Sequence, residues 1–204
     1  LVQNYTAFFR ISLSDHVIYQ SHYSQVLHQV YFPKKTSNTI VNGSTFKRGL
    51  LAPGKSPIAI KLVVIYSLAP NKRIYETVQF VRWLFEEKGL SVELVILGYT
   101  GEIPKVAPKD MKRLIENSSF VRTLPWFNEL VNETSVELFK ADCYLCFSER
   151  DPCPNSVVES MAHGLPVVGI ASGGIPDIVG DAGELVPADG FLNGFFSAHR
   201  WEYD

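Results

Sequence analysis

The chain reads as an α/β protein: a Rossmann-like, doubly wound parallel sheet preceded by a remnant of another domain. Three observations predict this. From Ile60 onward, short apolar runs alternate with amphipathic stretches, the pattern of a parallel sheet covered by helices. Between the first two runs, Lys72 to Lys88 places Val78, Val81, Trp83, Leu84 and Phe85 at near-helical spacing and ends at Gly89, which completes one βαβ unit. The first 45 residues differ in character and are followed by a stretch from Gly49 to Pro57 with Pro53 and Gly54 inside it, which reads as a connection.

In chain order, Asp15 to Ser21 is expected as a strand, Tyr23 to Phe32 as a helix and Ser37 to Gly43 as an extended segment. A boundary falls between Asn42 and Pro57. About 45 residues are too few to bury a core of their own, so this part is assigned to the end of an N-terminal domain and its hinge, residues 1–45, with a linker over 46–57. The remaining residues, 58–204, form the principal domain. Its strands are expected at Ile60 to Ser67, Val92 to Gly98, Phe120 to Leu124, Asp142 to Ser148, Pro166 to Ala171 and Glu184 to Pro187. Further helices are expected from Asn128 to Lys140 and from Ser156 to His163, the latter closed by Gly164 and Pro166. In such a fold, ligands sit beyond the carboxyl ends of the strands.

Composition narrows the function classes. The 204 residues are 46% hydrophobic and 12% aromatic, enough for a full core, and 19 basic against 21 acidic residues give a formal net charge of -2. That balance carries no electrostatic footprint for nucleic acid. With no apolar run near the roughly 20 residues that span a bilayer, and no signal-peptide pattern at Leu1, a cytoplasmic chain is expected. Cys143, Cys146 and Cys153 are an odd number, and the first two should point to opposite faces of one strand, so buried free thiols are expected rather than a zinc site.

The residues from Asp151 to Val168 read D-P-C-P-N-S-V-V-E-S-M-A-H-G-L-P-V-V, followed by Ser172-Gly-Gly-Ile-Pro-Asp177. A helix opening near Asn155 and Ser156 would leave unpaired N–H groups and a positive dipole end facing the loop, a suitable seat for a diphosphate. Ser156 and Glu159 match a capping box, in which the carboxylate returns to the helix start. Alternatively, Glu159 accepts hydrogen bonds from a ribose diol. Asp151 either pairs with neighbouring Arg150 at the surface or binds sugar hydroxyls. Lys72, at the expected start of its helix, is solvated surface or a point charge for a diphosphate. Gly173 and Gly174 make a tight turn or allow close backbone approach. His163 is read as a helix-end residue without chemistry. No metal-binding or phosphate-loop motif is present, and no metal or cofactor is expected.

Taken together, these residues resemble the C-terminal, donor-binding domain of GT-B-fold retaining glycosyltransferases, the group 1 or family 4 type that includes sucrose synthase. That family's pattern is E-P-F-G-x-x-x-x-E-A-M-A-x-G-x-P-V-V, then G-G-x-x-E. The resemblance implies a hexosyltransferase of carbohydrate biosynthesis using a nucleoside-diphosphate sugar as donor substrate. It assigns Asp151 and Lys72 as catalytic residues and Glu159, Asn155, Ser156, Ser67, Gly98 and Ser148 as donor-binding residues. Lys72 would meet the diphosphate, the Asn155 and Ser156 amides would hold it, Asp151 would take the sugar hydroxyls and Glu159 the ribose. Ser67 stands where the family usually has an arginine, and Asp151 where it has a glutamate, shorter by ~1.5 Å. The implied partners are the nucleotide-sugar donor and a sugar, lipid or protein acceptor, with any peripheral membrane contact made through a missing N-terminal half. A non-catalytic nucleotide-sugar-binding domain and a GT-B-fold epimerase are the alternatives.

Overall fold

A computed structural model describes residues 2–44, 59–125, 138 and 140–188. The principal domain is a six-stranded sheet of β3 (Ile60–Ile65), β4 (Val92–Leu97), β5 (Val121–Leu124), β6 (Cys143–Cys146), β7 (Val167–Ala171) and β8 (Gly183–Pro187). Its order is β5-β4-β3-β6-β7-β8 and every pairing is parallel. From β3 the chain first winds outward through β4 and β5, then returns to the other side of β3 and winds outward again through β6, β7 and β8. Between β3 and β6 the direction of winding reverses, which is where an open α/β sheet leaves a crevice at its carboxyl edge.

Alternation along the strands divides the core. Leu62, Val64, Leu94 and Ile96 face one side and pack with α3 (Ile74–Glu86) and α4 (Met111–Asn117). Val63, Val95, Tyr144, Cys146 and Val167 face the other and pack with α5 (Asn155–Ala162) and α6 (Ile175–Val179). Strands buried on both faces need apolar residues at both parities, which is why they appear as continuous runs. The helices are amphipathic in keeping: α3 buries Ile74, Val78 and Val81 and turns Arg82 and Glu86 outward.

Cys143 joins the first of these layers and Cys146 the second, and all three cysteines are free. The expected strands of the principal domain all form. Helices α4 and α6 are additional to the sequence reading, and the helix expected over 128–140 lies almost wholly outside the described residues.

The N-terminal segment comprises α1 (Val2–Leu13), β1 (Val17–Tyr19), α2 (His22–Gln29) and β2 (Ser37–Thr39). Helix α1 is also additional to the sequence reading. Ser21 caps α2 by accepting from the Ser24 amide at 3.2 Å, and β1 pairs in parallel with β2. Among the described residues, the segment meets the loops at the carboxyl edge of the main sheet. Ser21 is fully buried against Gly174, the Tyr23 amide donates to Asp177 Oδ2 at 3.2 Å, and Asn42 Nδ2 donates to Asn155 Oδ1 at 2.7 Å. The expected linker over 46–57 lies outside the described residues. Among those described, no helix is long and apolar enough to cross a membrane.

Candidate functional site

At the carboxyl ends of β3, β4 and β6, an open cleft of about 600 Å³ is lined by Tyr66, Ser67, Lys72, Gly98, Asp151, Asn155, Ser156 and Glu159, with Ile65, Leu68, Thr100, Cys153 and Pro154 completing the wall. A cavity of this size accommodates a ligand as large as a nucleotide. It lies beside the reversal between β3 and β6, and each contributing loop leaves one of the strands around that point.

Two loops form one side. After β3, Pro70–Lys72 makes a single 3-10 turn, and Arg73, in the left-handed conformation at φ 53°, redirects the chain into α3. Lys72 therefore ends the turn rather than opening the helix. After β6, the chain runs through Glu149 and Arg150 to Asp151. Lys72 Nζ meets Asp151 Oδ2 at 2.6 Å, with 24% and 12% of the two side chains exposed. This corrects the expected surface pair of Asp151 with Arg150. The left-handed backbone of Arg150, also at φ 53°, leaves its side chain 80% exposed, while Asp151 turns inward. Its other oxygen accepts from the Cys153 amide at 3.2 Å.

Helix α5 follows the Asp151 loop and adds Asn155, Ser156 and Glu159 to the lining. Pro154 is its N-cap, no side chain caps it, and the helix begins at Asn155. The expected capping box between Ser156 and Glu159 does not form, because Ser156 sits one residue inside the helix. Glu159 instead lines the cleft from the second turn of α5. Burial raises the pKa of its carboxyl, and the nearby His163 partly lowers it again. Among the described residues, neither the Asn155 nor the Ser156 amide has a backbone acceptor. His163 is buried at the end of α5 with Nδ1 2.7 Å from the Glu159 carbonyl oxygen, which accords with a helix-end role.

Ser67 lines the cleft, and its Oγ accepts from the Ala69 amide at 3.2 Å. Gly98, with φ 88°, lines it from the end of β4. Ser148 is buried and is not part of the lining. Seven of the eight predicted site residues thus share one cleft. Sequence reasoning passed over Tyr66 and Thr100, although both lie just beyond strands whose carboxyl ends were predicted. The Tyr66 hydroxyl donates to the Glu102 carbonyl oxygen at 2.6 Å, and burial, with the Glu102 charge, pushes its pKa up to about 12.

The glycine pair after β7 has a structural task. A Cβ on Gly173, whose φ is 62°, would lie 2.3 Å from the Asp151 carbonyl oxygen, and one on Gly174 would lie 2.0 Å from that of Pro152. The Gly174 amide donates to the Asp151 carbonyl oxygen at 2.8 Å. The two glycines let the β7–α6 turn press against the loop carrying Asp151, which fixes that carboxylate from behind. Among the described residues, no cluster of His, Cys, Asp and Glu could hold a metal ion.

A family model described as glycosyl transferases group 1 matches residues 59–198. The chain belongs to the group 1 glycosyl transferases. No curated protein matches it. Solved structures resemble it in fold. A mutant of S. aureus TarM, in complex with Fondaparinux, alpha-GlcNAc-glycerol and UDP, is 17% identical with a TM-score of 0.67, covering 87% of this chain and 34% of that one. The lipopolysaccharide outer core galactosyltransferase WaaB in its apo form is 16% identical with a TM-score of 0.65, covering 91% and 53%. Sucrose-phosphate synthase from Thermosynechococcus elongatus is 18% identical with a TM-score of 0.65, covering 93% and 50%. The chain therefore spans between about a third and about half the length of these proteins. The parallel six-stranded sheet is the Rossmann-like C-terminal domain of the GT-B fold, as the motif from Asp151 to Val168 implies.

Proposed function

We propose that this glycosyltransferase domain binds a nucleoside-diphosphate sugar in the cleft between β3 and β6 and presents its hexosyl group for transfer with retention. One observation carries the reading: Lys72, and 79 positions later Asp151 with Asn155, Ser156 and Glu159 of the helix that follows it, line a single cleft. Lys72 supplies a cation for the departing diphosphate, and the Asn155 and Ser156 amides add fixed dipoles aimed at the same oxygens. Asp151 accepts from the sugar hydroxyls, Glu159 from the ribose diol, and the Ser67 hydroxyl offers a further donor. Catalysis on this reading is positioning and charge stabilisation by the chain's own groups.

Lys72 is already held by Asp151, so the donor must replace both partners of that pair together. Residues 1–45 are read as the end of the acceptor domain and its hinge, and 58–204 as the donor domain. Transfer is accordingly assigned to a form that also carries an acceptor half. UDP in the TarM complex makes uridine diphosphate the first probe to try here.

Calorimetric titration of the chain with UDP, GDP and UMP tests the donor site. A diphosphate should bind at least about tenfold more tightly than UMP, a difference near 1.4 kcal/mol. Equal binding of UDP and UMP, or no binding of either diphosphate, removes the reading. Retention is checked by the anomeric configuration of the product in proton NMR, where inversion would refute it.

A further inference from the structure

We propose that Arg73 and Glu149 are positioning residues for the donor site, joining the two loops that carry Lys72 and Asp151 and so fixing the separation of that pair. The inference rests on the reading of Lys72 as the cation that meets the diphosphate.

The two loops run side by side and alternate in what they face. Lys72 and Asp151 line the donor cleft. Asn71, Arg73, Glu149 and Arg150 line a second cleft on the other flank, with Pro70 and Val106. The loops stand between the clefts, and besides the Lys72–Asp151 contact on the donor side they are joined by bonds among residues that line the second cleft. The Glu149 amide donates to the Asn71 carbonyl oxygen at 2.7 Å, and Asn71 Nδ2 donates to the Glu149 carbonyl oxygen at 3.3 Å. Arg73 Nε donates to Glu149 Oε2 at 3.1 Å, and Nη2 of the same guanidinium contacts that oxygen as well. Nη1 donates to Glu76 Oε1 at 2.7 Å, anchoring the arginine to the first turn of α3. The guanidinium thus reaches both loop and helix, which the planar fork of an arginine allows and an ammonium does not.

The backbone supports the same conclusion. Among the described residues, Arg73 and Arg150 are the two non-glycine residues with positive φ, each at 53°, and each directly adjoins one member of the Lys72–Asp151 pair. Such a conformation is unfavourable for a residue with a Cβ and persists where its surroundings hold it. At Arg73 it sends successive side chains to opposite flanks: Lys72 to the donor cleft, Arg73 to Glu149. If the Arg73–Glu149 pair is lost, the turn and the loop remain joined through Asn71 and Lys72 itself.

The test reads Lys72 directly and does not need the donor. Acetylation by the N-hydroxysuccinimide ester of acetate, followed by peptide mass spectrometry, gives the labelling rate of Lys72, with Lys112 on α4 as internal reference. Glu149→Gln keeps the size of the side chain and leaves Arg73 bonded to Glu76. It should raise Lys72 labelling about fivefold, toward the rate of Asp151→Asn. Arg73→Lys, which keeps the charge without the fork, should give a smaller rise and carries the test if Glu149→Gln does not fold. Unchanged Lys72 labelling in both variants overturns the proposal.

Calorimetry with UDP then reads the consequence for the site. Glu149→Gln should bind it about tenfold more weakly, and an unchanged UDP affinity beside faster labelling overturns the proposal equally. Failure of the unaltered protein to bind UDP or GDP would instead sink the donor reading, while the labelling still decides whether Glu149 holds Lys72 in place.

Discussion

Replacing Gly173 with alanine isolates the contact that backs Asp151. The new methyl carbon would lie 2.3 Å from the Asp151 carbonyl oxygen, 2.7 Å from its amide nitrogen and 3.0 Å from the Arg150 carbonyl carbon. These atoms are backbone, and they are also engaged: the Asp151 carbonyl oxygen accepts from the Gly174 amide at 2.8 Å. Relief of the clash requires the loop to move by roughly an ångström, given ordinary carbon–oxygen and carbon–carbon separations of about 3.5 Å. Gly89 provides the control. Its φ is 63° against 62° for Gly173, but nothing lies within 4 Å of a Cβ built on it. Both alanines meet the left-handed backbone penalty of about 1–2 kcal/mol. Only Gly173→Ala adds overpacking, about 1–3 kcal/mol, and the loss of a hydrogen bond, about 1 kcal/mol. The difference between the variants should therefore be about 2–4 kcal/mol, or roughly 5–15 °C in melting temperature for a chain of this size. Circular dichroism melts and urea titrations of the two variants measure it. Equal stability within about 0.5 kcal/mol would refute the claim that this glycine packs the site.

Three further outcomes follow from the cleft. Glu159→Gln should leave the melting temperature close to that of the unaltered protein and weaken UDP binding about tenfold, because a charged acceptor for the ribose becomes a neutral one; calorimetry measures both effects. Because burial raises the Glu159 pKa, the native state holds its proton to higher pH than the unfolded chain does. This group's contribution to stability therefore falls as pH rises through that window. Ribose hydroxyls favour the ionised form, so UDP affinity should fall as pH drops below the raised value, with proton release on binding. Titrations across acidic pH in buffers of different ionisation heat test this, and the dependence should vanish in Glu159→Gln. Finally, Lys72→Met leaves the Asp151 carboxylate without its cation and should cost about 2 kcal/mol, below the 3–5 kcal/mol of a fully buried pair because both side chains retain some water. Lys72→Met combined with Asp151→Asn should recover most of that loss in urea denaturation.

The sheet was legible because strands buried on both faces produce runs such as Leu62 to Ile65 and Val92 to Leu97, which polar exposed segments do not imitate. Helix α4 was missed at only seven residues, although Met111 and Ile115 carry its buried face at a spacing of four. The motif around Glu159 named residues that line the cleft, and its capping-box alternative does not form. Pro154 takes the N-cap with φ -68°, so the helix starts at Asn155 and Ser156 cannot act as the cap. The surface-pair alternative for Asp151 fails for a different reason. Its neighbour in sequence is Arg150, but the partner is 79 positions away, and what decides between them is the left-handed turn at Arg150, a backbone choice that residue type alone does not reveal. The order of the strands, which sets the place of the cleft, is likewise a property of the whole chain.

Lys72 carries its own counterion. A small anion drifting past the cleft meets a charge already quenched, so inorganic phosphate gains little by settling there. A sugar nucleotide, on the proposed reading, can trade on both sides at once, offering oxygens to the ammonium and hydroxyls to the carboxylate. On the same reading, once the sugar has left, the carboxylate can compete again for its cation, so the spent diphosphate is held less firmly than the intact donor. One contact of 2.6 Å would then bear on both entry and release.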